Sequence, residues 1–121
     1  MSDIEEAGTL LQIVCHSASK KAGWWDGVDL SDKNVVPAKL CLIHSEISEA
    51  MEGHQKNLPD DHLPHRSMLE VEIADAVIRI ADLAGALGLD LGGAIAEKMA
   101  YNAQRADHKS EARAAANGRA Y

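Results

Sequence analysis

Two pairs of acidic residues with matched spacing stand in the middle of this chain. Glu46 and Glu49 are three positions apart, and Glu72 and Asp75 repeat that spacing further along the sequence. On an α-helix, residues three positions apart lie on one face, about 6 Å from each other. An antiparallel pair of helices would therefore bring four carboxylates to the same level. Oxygen ligands of this kind suit Mg²⁺ or Mn²⁺ better than Zn²⁺, and the Glu-x-x-His pairs of di-iron bundles are absent from the sequence.

The second acidic pair lies on the most apolar stretch of the chain, a predicted helix over residues 66–87. Its broad apolar face is expected to pack in the core and consists of Leu69, Ile73, Ala76, Ile80, Leu83 and Leu87. A narrow stripe beside that face carries Glu72, Asp75, Arg79 and Asp82. Carboxylates on a core helix are unfavourable unless they are neutralised, and one arginine cannot balance three of them. The stripe therefore predicts a bound cation.

Helical periodicity runs through most of the chain and predicts one all-α domain. Apolar spacing and turn residues place helices over residues 3–22, 37–55, 66–87 and 91–106. The helix over 37–55 is expected to line one side with Leu40, Ile43, Ile47 and Met51. We expect residues 1–108 to form the helical domain. The Ala-rich segment 109–121 either extends the last helix as far as Ala116 or is a frayed tail.

The predicted loops contain both tryptophans and three of the histidines. Trp24 and Trp25 are adjacent, so we expect one to pack in the core and the other to lie at the surface. The alternative is that one of them stacks its ring on the ring of a ligand. Residues 53–65 contain two prolines, two aspartates and three histidines. This composition favours a solvated, mobile loop, which could cover a neighbouring site. A metal site formed by the three histidines is the less favoured interpretation.

A stripe of hydrogen-bond donors follows on the last predicted helix. Lys98, Asn102 and Arg105 step by four and then three positions, so they share one side of that helix. Metal ions together with cationic donors form a clamp for phosphate groups. The stripe is therefore a candidate phosphate-binding surface opposite the acidic pairs.

The composition restricts the partners and the compartment. A formal net charge of −7 argues against nucleic acid or an anionic membrane surface as the main partner. No apolar run approaches the length of a membrane span, and the acidic opening lacks the basic segment of a signal peptide. Cys15 and Cys41 have no CxxC spacing, so we expect them to be reduced core residues. These features predict a cytoplasmic protein.

Three motifs in order resemble those of the MazG-like all-α nucleoside triphosphate pyrophosphohydrolases. They read EISE, EIAD and KMAYNAQR, and the resemblance covers about residues 40–107. The family often has a doubled glutamate before the first motif, whereas Ser45 precedes Glu46 here. The resemblance implies a four-helix bundle that assembles into a dimer or a dimer of dimers. It also implies Mg²⁺-dependent cleavage between the α and β phosphates of a nucleoside triphosphate, with Mn²⁺ as an alternative ion.

Roles for individual residues follow from this resemblance. The implied metal ligands are Glu46, Glu49, Glu72 and Asp75, with Glu46 or Glu49 accepting the proton of the attacking water. Asp82 is a further candidate, either as a ligand or as the partner of Arg79. The polyphosphate would be held by Lys98, Asn102 and Arg105, and the candidates for the base pocket are Trp24, Trp25, His16 and Tyr101. His16 and Tyr101 have ordinary packing roles as their alternatives.

Two other functions are compatible with the same residues. One is hydrolysis of phosphoribosyl-ATP or another nucleotide-like diphosphate by the same chemistry. The other is a non-catalytic helical protein whose acidic stripe binds a cation or a partner. Loss of turnover in Glu49→Gln and Glu72→Gln variants that keep their fold would separate a catalyst from a structural protein.

Overall fold

Four α-helices make up the computed structural model, which describes the backbone of residues 1–116 and the side chains of residues 1–105. They are α1 (Asp3–Lys21), α2 (Val35–Lys56), α3 (Met68–Ala86) and α4 (Leu91–Ala116). The described residues contain no strand beyond an isolated bridge between Pro59 and Ser67. The all-α prediction is confirmed, and the helix continues through Ala116. The rest of the predicted tail, residues 117–121, lies outside the described residues.

Local sequence signals explain where the helices end. Ser67 caps α3 in a reciprocal capping box with Glu70, in which each side chain accepts from the other residue's backbone N–H. α2 ends at Asn57, whose φ of 52° is the left-handed conformation that asparagine tolerates. Asp90 accepts a hydrogen bond from the backbone N–H of Gly93 at 3.0 Å, as expected of a helix cap.

The chain divides into two compact units. One comprises Met1–Thr9 and the residues from Asp90 onward, and the other comprises Leu10–Leu89. In the first unit, Gly92 packs directly on α1, because a Cβ at Gly92 would collide with the backbone oxygen of Glu5 and with Thr9. The predicted boundary between a domain of residues 1–108 and a tail of residues 109–121 stays a prediction.

The second unit is built on the packing of α2 against α3. Gly53 lies against Met68, where an added Cβ would be 2.7 Å from Cγ of Met68, and Glu46 lies against Arg79. Since the earlier residue of α2 meets the later residue of α3, the two helices run antiparallel. Most of the buried residues on these two helices are small or acidic: Glu46, Ala50 and Gly53 on α2, and Glu72, Ala76, Ala81 and Ala84 on α3. Ile43 and Leu83 are the larger buried side chains.

The predicted core faces of α2 and α3 are confirmed only in part: Ala76 and Leu83 of the α3 face are buried, and Leu69 and Leu87 are half-buried. Ile73 is 52% exposed and Ile80 is 40% exposed, although both were expected in the core. On α2 only Ile43 of the predicted apolar side is buried, while Leu40, Ile47 and Met51 are exposed. The physical reason is that alanines and glycines let the helices approach closely along the stripe that carries the acids. The larger aliphatic side chains are turned outward as a result.

The cysteine prediction holds in one respect only. Both residues are free thiols, but Cys15 is half-buried and Cys41 is exposed, so Cys41 does not belong to the core. Burial and the nearby Asp82 carboxylate raise the pKa of the Cys15 thiol. None of the described helices has both the length and the apolar character needed to span a membrane.

Candidate metal centre

The antiparallel contact of α2 and α3 brings three carboxylates together. One oxygen from each of Glu46, Glu72 and Asp75 lies within 4.8 Å of the others. Glu46 is 8% exposed and Glu72 is 9% exposed, and Asp75 is half-buried. The i, i+3 spacing of the sequence motifs therefore places acids on the facing sides of both helices, as the motif spacing predicted. Glu49 lies at the exposed edge of this group, close enough to influence Glu72.

Glu72 is the most unusual member of the cluster. Its Oε2 is fully buried and accepts no hydrogen bond from the described residues. The side chains around this oxygen are the carboxyl groups of Glu46 and Glu49, and an ionised carboxylate cannot donate. A proton shared with Glu46, burial, and the charge of Glu49 raise the pKa of Glu72 to about 8. The oxygen requires either that proton or a cation.

The surroundings of Asp75 also raise the pKa of its carboxyl group. Burial is the main cause that raises the pKa of its carboxyl group, and the charge of Glu46 adds to it. The guanidinium of Arg79 acts in the opposite direction, while Asp60 adds another negative charge nearby. The cluster thus contains more acid than its single neighbouring arginine offsets. Carboxyl oxygens placed this closely together could hold a metal ion.

Arg79 is paired with the cluster and not with Asp82. Its Nε donates to Oε1 of Glu46 at 3.0 Å. The guanidinium carbon also lies 5.8 Å from the centroid of the Trp24 ring. The alternative in which Arg79 and Asp82 are partners is therefore wrong in this structure. Side-chain direction across a helix contact decided this pairing, and spacing along α3 alone could not reveal it.

Asp82 instead organises the end of α1 and the tryptophan loop. Its Oδ1 lies 2.9 Å from Nδ1 of His16 and accepts the indole N–H of Trp25 at 2.8 Å. Its Oδ2 accepts the hydroxyl of Ser19 at 2.8 Å. The ring of His16 packs directly over Gly85, where an added Cβ would lie 2.7 Å from Cγ of His16. Asp82 is not among the three residues whose oxygens converge.

A mainly apolar cavity of about 320 Å³ adjoins both groups of residues. It lies between the C-terminal half of α1 and α3, and its lining residues are Val14, Cys15, Ala18, Ser19, Ala22, Trp24, Ile78, Arg79 and Asp82. Trp24 is exposed and Trp25 is half-buried, so the expected division of roles between the tryptophans is observed. Lys39 from α2 lies 4.6 Å from the centroid of the Trp25 ring. Arg79 and Asp82 are the charged groups of the cavity wall.

The loop between α2 and α3 is held by its own hydrogen bonds. Asp60 is 8% exposed, and its Oδ2 accepts the backbone N–H groups of His62 and Leu63 at 3.0 and 2.8 Å. The backbone N–H of Asp60 donates to the oxygen of Arg66. The predicted loop of residues 53–65 begins later than expected, because α2 runs to Lys56 and carries His54. His62 and His65 lie in the loop and are exposed, and none of the three histidines takes part in the carboxylate cluster.

The predicted phosphate-binding stripe lies on α4, in the other compact unit. Lys98, Asn102 and Arg105 are exposed there. Nζ of Lys98 lies 4.8 Å from the centroid of the Tyr101 ring, and Cζ of Arg105 lies 5.6 Å from it. Tyr101 thus packs between two cations of its own helix. Its place in a base pocket and the roles of the stripe on phosphate stay predictions.

Several residues at the observed site were not among the site residues predicted from the sequence. Ser19, Lys39 and Asp60 belong to this group, and Arg79 was recognised only as a partial counter-charge. Asp60 had a usable signal, because aspartate in a Pro-punctuated loop often accepts backbone N–H groups two or three positions ahead. Ser19 and Lys39 had none, since they reach the site only through the packing of α1, α2 and the tryptophan loop.

Comparison of the chain with protein-family models, with curated proteins and with solved structures finds no match. The candidate centre therefore stands on its own geometry.

Proposed function

We propose that this protein is a Mg²⁺-dependent nucleoside triphosphate pyrophosphohydrolase that forms a nucleoside monophosphate and pyrophosphate. The observation that carries the proposal is the buried Oε2 of Glu72, which has no donor and is surrounded by carboxylates. An acidic group at the surface would be solvated, whereas this oxygen is enclosed and needs either a proton or a cation. The order and spacing of the EISE, EIAD and KMAYNAQR motifs support the reaction class.

The ligands of the metal ion would come from Glu46, Glu72 and Asp75, with Glu49 at the edge of the cluster. A divalent ion held there supplies charge neutralisation for the polyphosphate and lowers the pKa of a bound water. The chain's own contribution is to hold the carboxylates at fixed positions on two packed helices. Mn²⁺ should substitute for Mg²⁺, because both prefer oxygen ligands in octahedral arrangement.

The proposed reaction is attack of water on the α-phosphorus. A P–O bond forms from water, the bond from the α-phosphorus to the bridging oxygen breaks, and pyrophosphate leaves. The water proton passes to a carboxylate of α2. We favour Glu49 over Glu46 for this role, because Glu46 already accepts a hydrogen bond from Arg79 and Glu49 is exposed.

The apolar cavity is proposed to receive the base. Its volume of about 320 Å³ and its aliphatic and indole lining suit a flat heterocycle. Trp24 would supply the stacking face. Trp25 and His16 would fix the wall through their shared hydrogen bonds to Asp82. The phosphate-binding role of Lys98, Asn102 and Arg105 is proposed from the KMAYNAQR motif alone.

Self-association is part of the proposal. Apolar side chains that a four-helix chain would normally cover are exposed on both central helices: Leu40, Ile47 and Met51 on α2, and Ile73, Val77 and Ile80 on α3. Several large apolar side chains exposed on neighbouring helices are a common feature of subunit interfaces. A dimer or a dimer of dimers is expected, and a monomer in sedimentation at micromolar concentration would contradict it.

A product assay in ¹⁸O-labelled water tests the reaction. Each common and modified ribo- and deoxynucleoside triphosphate is incubated with the protein and Mg²⁺, and pyrophosphate and monophosphate are measured. We expect equal amounts of both products from at least one substrate, with the label in the monophosphate. Release of orthophosphate, label in pyrophosphate, or no cleavage across the whole panel would contradict the proposal. Cation-dependent stabilisation without cleavage would instead support the non-catalytic alternative.

A further inference from the structure

Arg79 lies between the carboxylate cluster and the apolar cavity and contacts both. Its Nε donates to Oε1 of Glu46 at 3.0 Å, and its guanidinium carbon lies 5.8 Å from the centroid of the Trp24 ring. The same side chain forms part of the cavity wall. It is 29% exposed, so solvent reaches only part of it. A ligand that fills the cavity and extends toward the cluster would pass this guanidinium.

Most of the donors of Arg79 are unused. A guanidinium carries five N–H groups, and its hydrogen bond to Glu46 employs one of them. No other described residue accepts a hydrogen bond from Arg79. The two terminal nitrogens therefore offer a planar fork at the edge of the cavity. Such a fork matches the oxygens of a phosphate group, which it binds through two parallel hydrogen bonds.

The pairing with Glu46 also has an electrostatic role. The acids around Arg79 are Glu46, Glu72 and Asp75, with Asp82 on the same cavity wall and Glu49 and Asp60 nearby. Asp82 already accepts hydrogen bonds from Trp25 and Ser19, and the guanidinium of Arg79 partly offsets the charge around Asp75. The guanidinium and a divalent cation at this cluster would draw on the same Glu46 carboxylate, and their positive charges would repel each other. Binding of one therefore weakens the hold of the other.

We propose that Arg79 is a substrate-binding residue for the phosphate group attached to the nucleoside. Its hydrogen bond to Glu46 holds it away from that phosphate until a divalent cation binds the Glu46 carboxylate. This inference rests on the proposed function for the identity of the ligand. The order of groups supports it: a cavity for a ring, then a fork for one phosphate, then a carboxylate cluster for the cation that accompanies further phosphates. Cation and phosphate should consequently bind with positive coupling, because the first event releases the donor that the second uses.

Calorimetry on three variants tests both parts. Arg79→Gln removes the charge, Arg79→Lys keeps the charge without the fork, and Arg66→Gln is a matched control on an exposed arginine that pairs with Glu70. With Mn²⁺ alone, Arg79→Gln should bind about fivefold more tightly than the wild type, since the competing charge is gone. Arg79→Lys and Arg66→Gln should stay close to the wild type.

The phosphate arm uses the four common deoxynucleoside monophosphates, the products of the proposed reaction. Saturating Mn²⁺ should tighten binding of at least one of them to the wild type. Arg79→Gln and Arg79→Lys should each weaken that binding about 30-fold and remove its dependence on Mn²⁺. A residue that merely supported the fold would weaken Mn²⁺ and nucleotide binding together, so the opposite signs identify the proposed role.

Equal or weaker Mn²⁺ binding by Arg79→Gln would overturn the inference, and so would unchanged monophosphate affinity in both variants. If Arg79→Gln does not fold, the Arg79→Lys measurements decide the phosphate part alone. The inference and the proposed function fail separately. Normal pyrophosphate release with unchanged nucleotide binding in the variants refutes the inference only. Tighter Mn²⁺ binding by Arg79→Gln in a protein that cleaves no nucleotide refutes the function and leaves the cation competition standing.

Discussion

Trp25 donates its indole N–H to Oδ1 of Asp82 across 2.8 Å, and this bond ties the tryptophan loop to α3. The same carboxylate meets His16 and Ser19, so three donors depend on one acceptor. Asp82 is half-buried, and losing it would leave these donors without a partner. It therefore acts on the cavity by positioning other side chains.

Asp82→Asn is expected to destabilise the fold by about 1–3 kcal/mol. The amide nitrogen that replaces one carboxylate oxygen cannot accept a hydrogen bond, so one of the three donors would lose its acceptor. Thermal unfolding measures this change, and tryptophan emission should shift toward that of solvated indole. Asp61→Asn, an exposed aspartate in the loop before α3, is the control and should change neither quantity. Wild-type emission and stability in Asp82→Asn would show that the three hydrogen bonds do not hold the loop.

The metal-free protein should lose stability as the pH rises from about 5 to 8. The folded protein raises the pKa of Glu72 from 4.5 to about 8, so folding favours the protonated carboxyl group. This contribution to the free energy of unfolding is complete below about pH 4.5 and is lost as the pH passes 8. Unfolding midpoints at several pH values in a chelator measure it.

A Glu72→Gln variant provides the comparison for this pH effect, since its neutral amide imitates the protonated acid. Its stability should change less with pH over the same interval. Mg²⁺ should stabilise the wild type most at the alkaline end, where the ionised carboxylates are ready to bind it. Parallel pH profiles of the two metal-free proteins would place the titrating group elsewhere.

The close approach of His16 to Gly85 predicts a steric cost for any side chain at that position. Gly85→Ala should reduce stability by about 1–3 kcal/mol, because the new Cβ would collide with Cβ and the ring of His16. Replacing His16 by glycine in the same protein removes both groups and should recover part of this loss. Chemical denaturation of the single and double variants measures the coupling. Strictly additive changes would mean that the two residues do not press on each other.

Asp60 should hold the loop between α2 and α3 through its two backbone hydrogen bonds. Asp60→Ala is expected to cost about 1–3 kcal/mol and to speed hydrogen exchange at the amides of His62 and Leu63. Asp60→Asn keeps a carbonyl acceptor and should retain most of the protection. Exchange rates that are equal in the wild type and Asp60→Ala would contradict this role.

The sequence predicted local features better than features that depend on how the helices pack. The helices and the meeting of Glu46 with Glu72 and Asp75 followed from local periodicity and the i, i+3 spacing. The sequence did not predict which face of α3 packs against α2. Hydrophobicity alone favoured the face with the isoleucines, whereas the face with the alanines permits the close contact. The partners of Arg79 and Asp82 depended on that rotation and on α1, which local patterns do not specify.

The rate of Mg²⁺-dependent pyrophosphate release by Glu72→Gln tests the central claim most directly. Glu52→Gln is the matched control, since Glu52 lies exposed on α2 and, among the residues that the structure describes, pairs only with Lys56. With the best substrate of the panel, turnover by Glu72→Gln should fall at least about 100-fold while its circular dichroism stays that of the wild type. Glu52→Gln should retain the wild-type rate. Equal rates for the wild type, Glu72→Gln and Glu52→Gln would contradict the account.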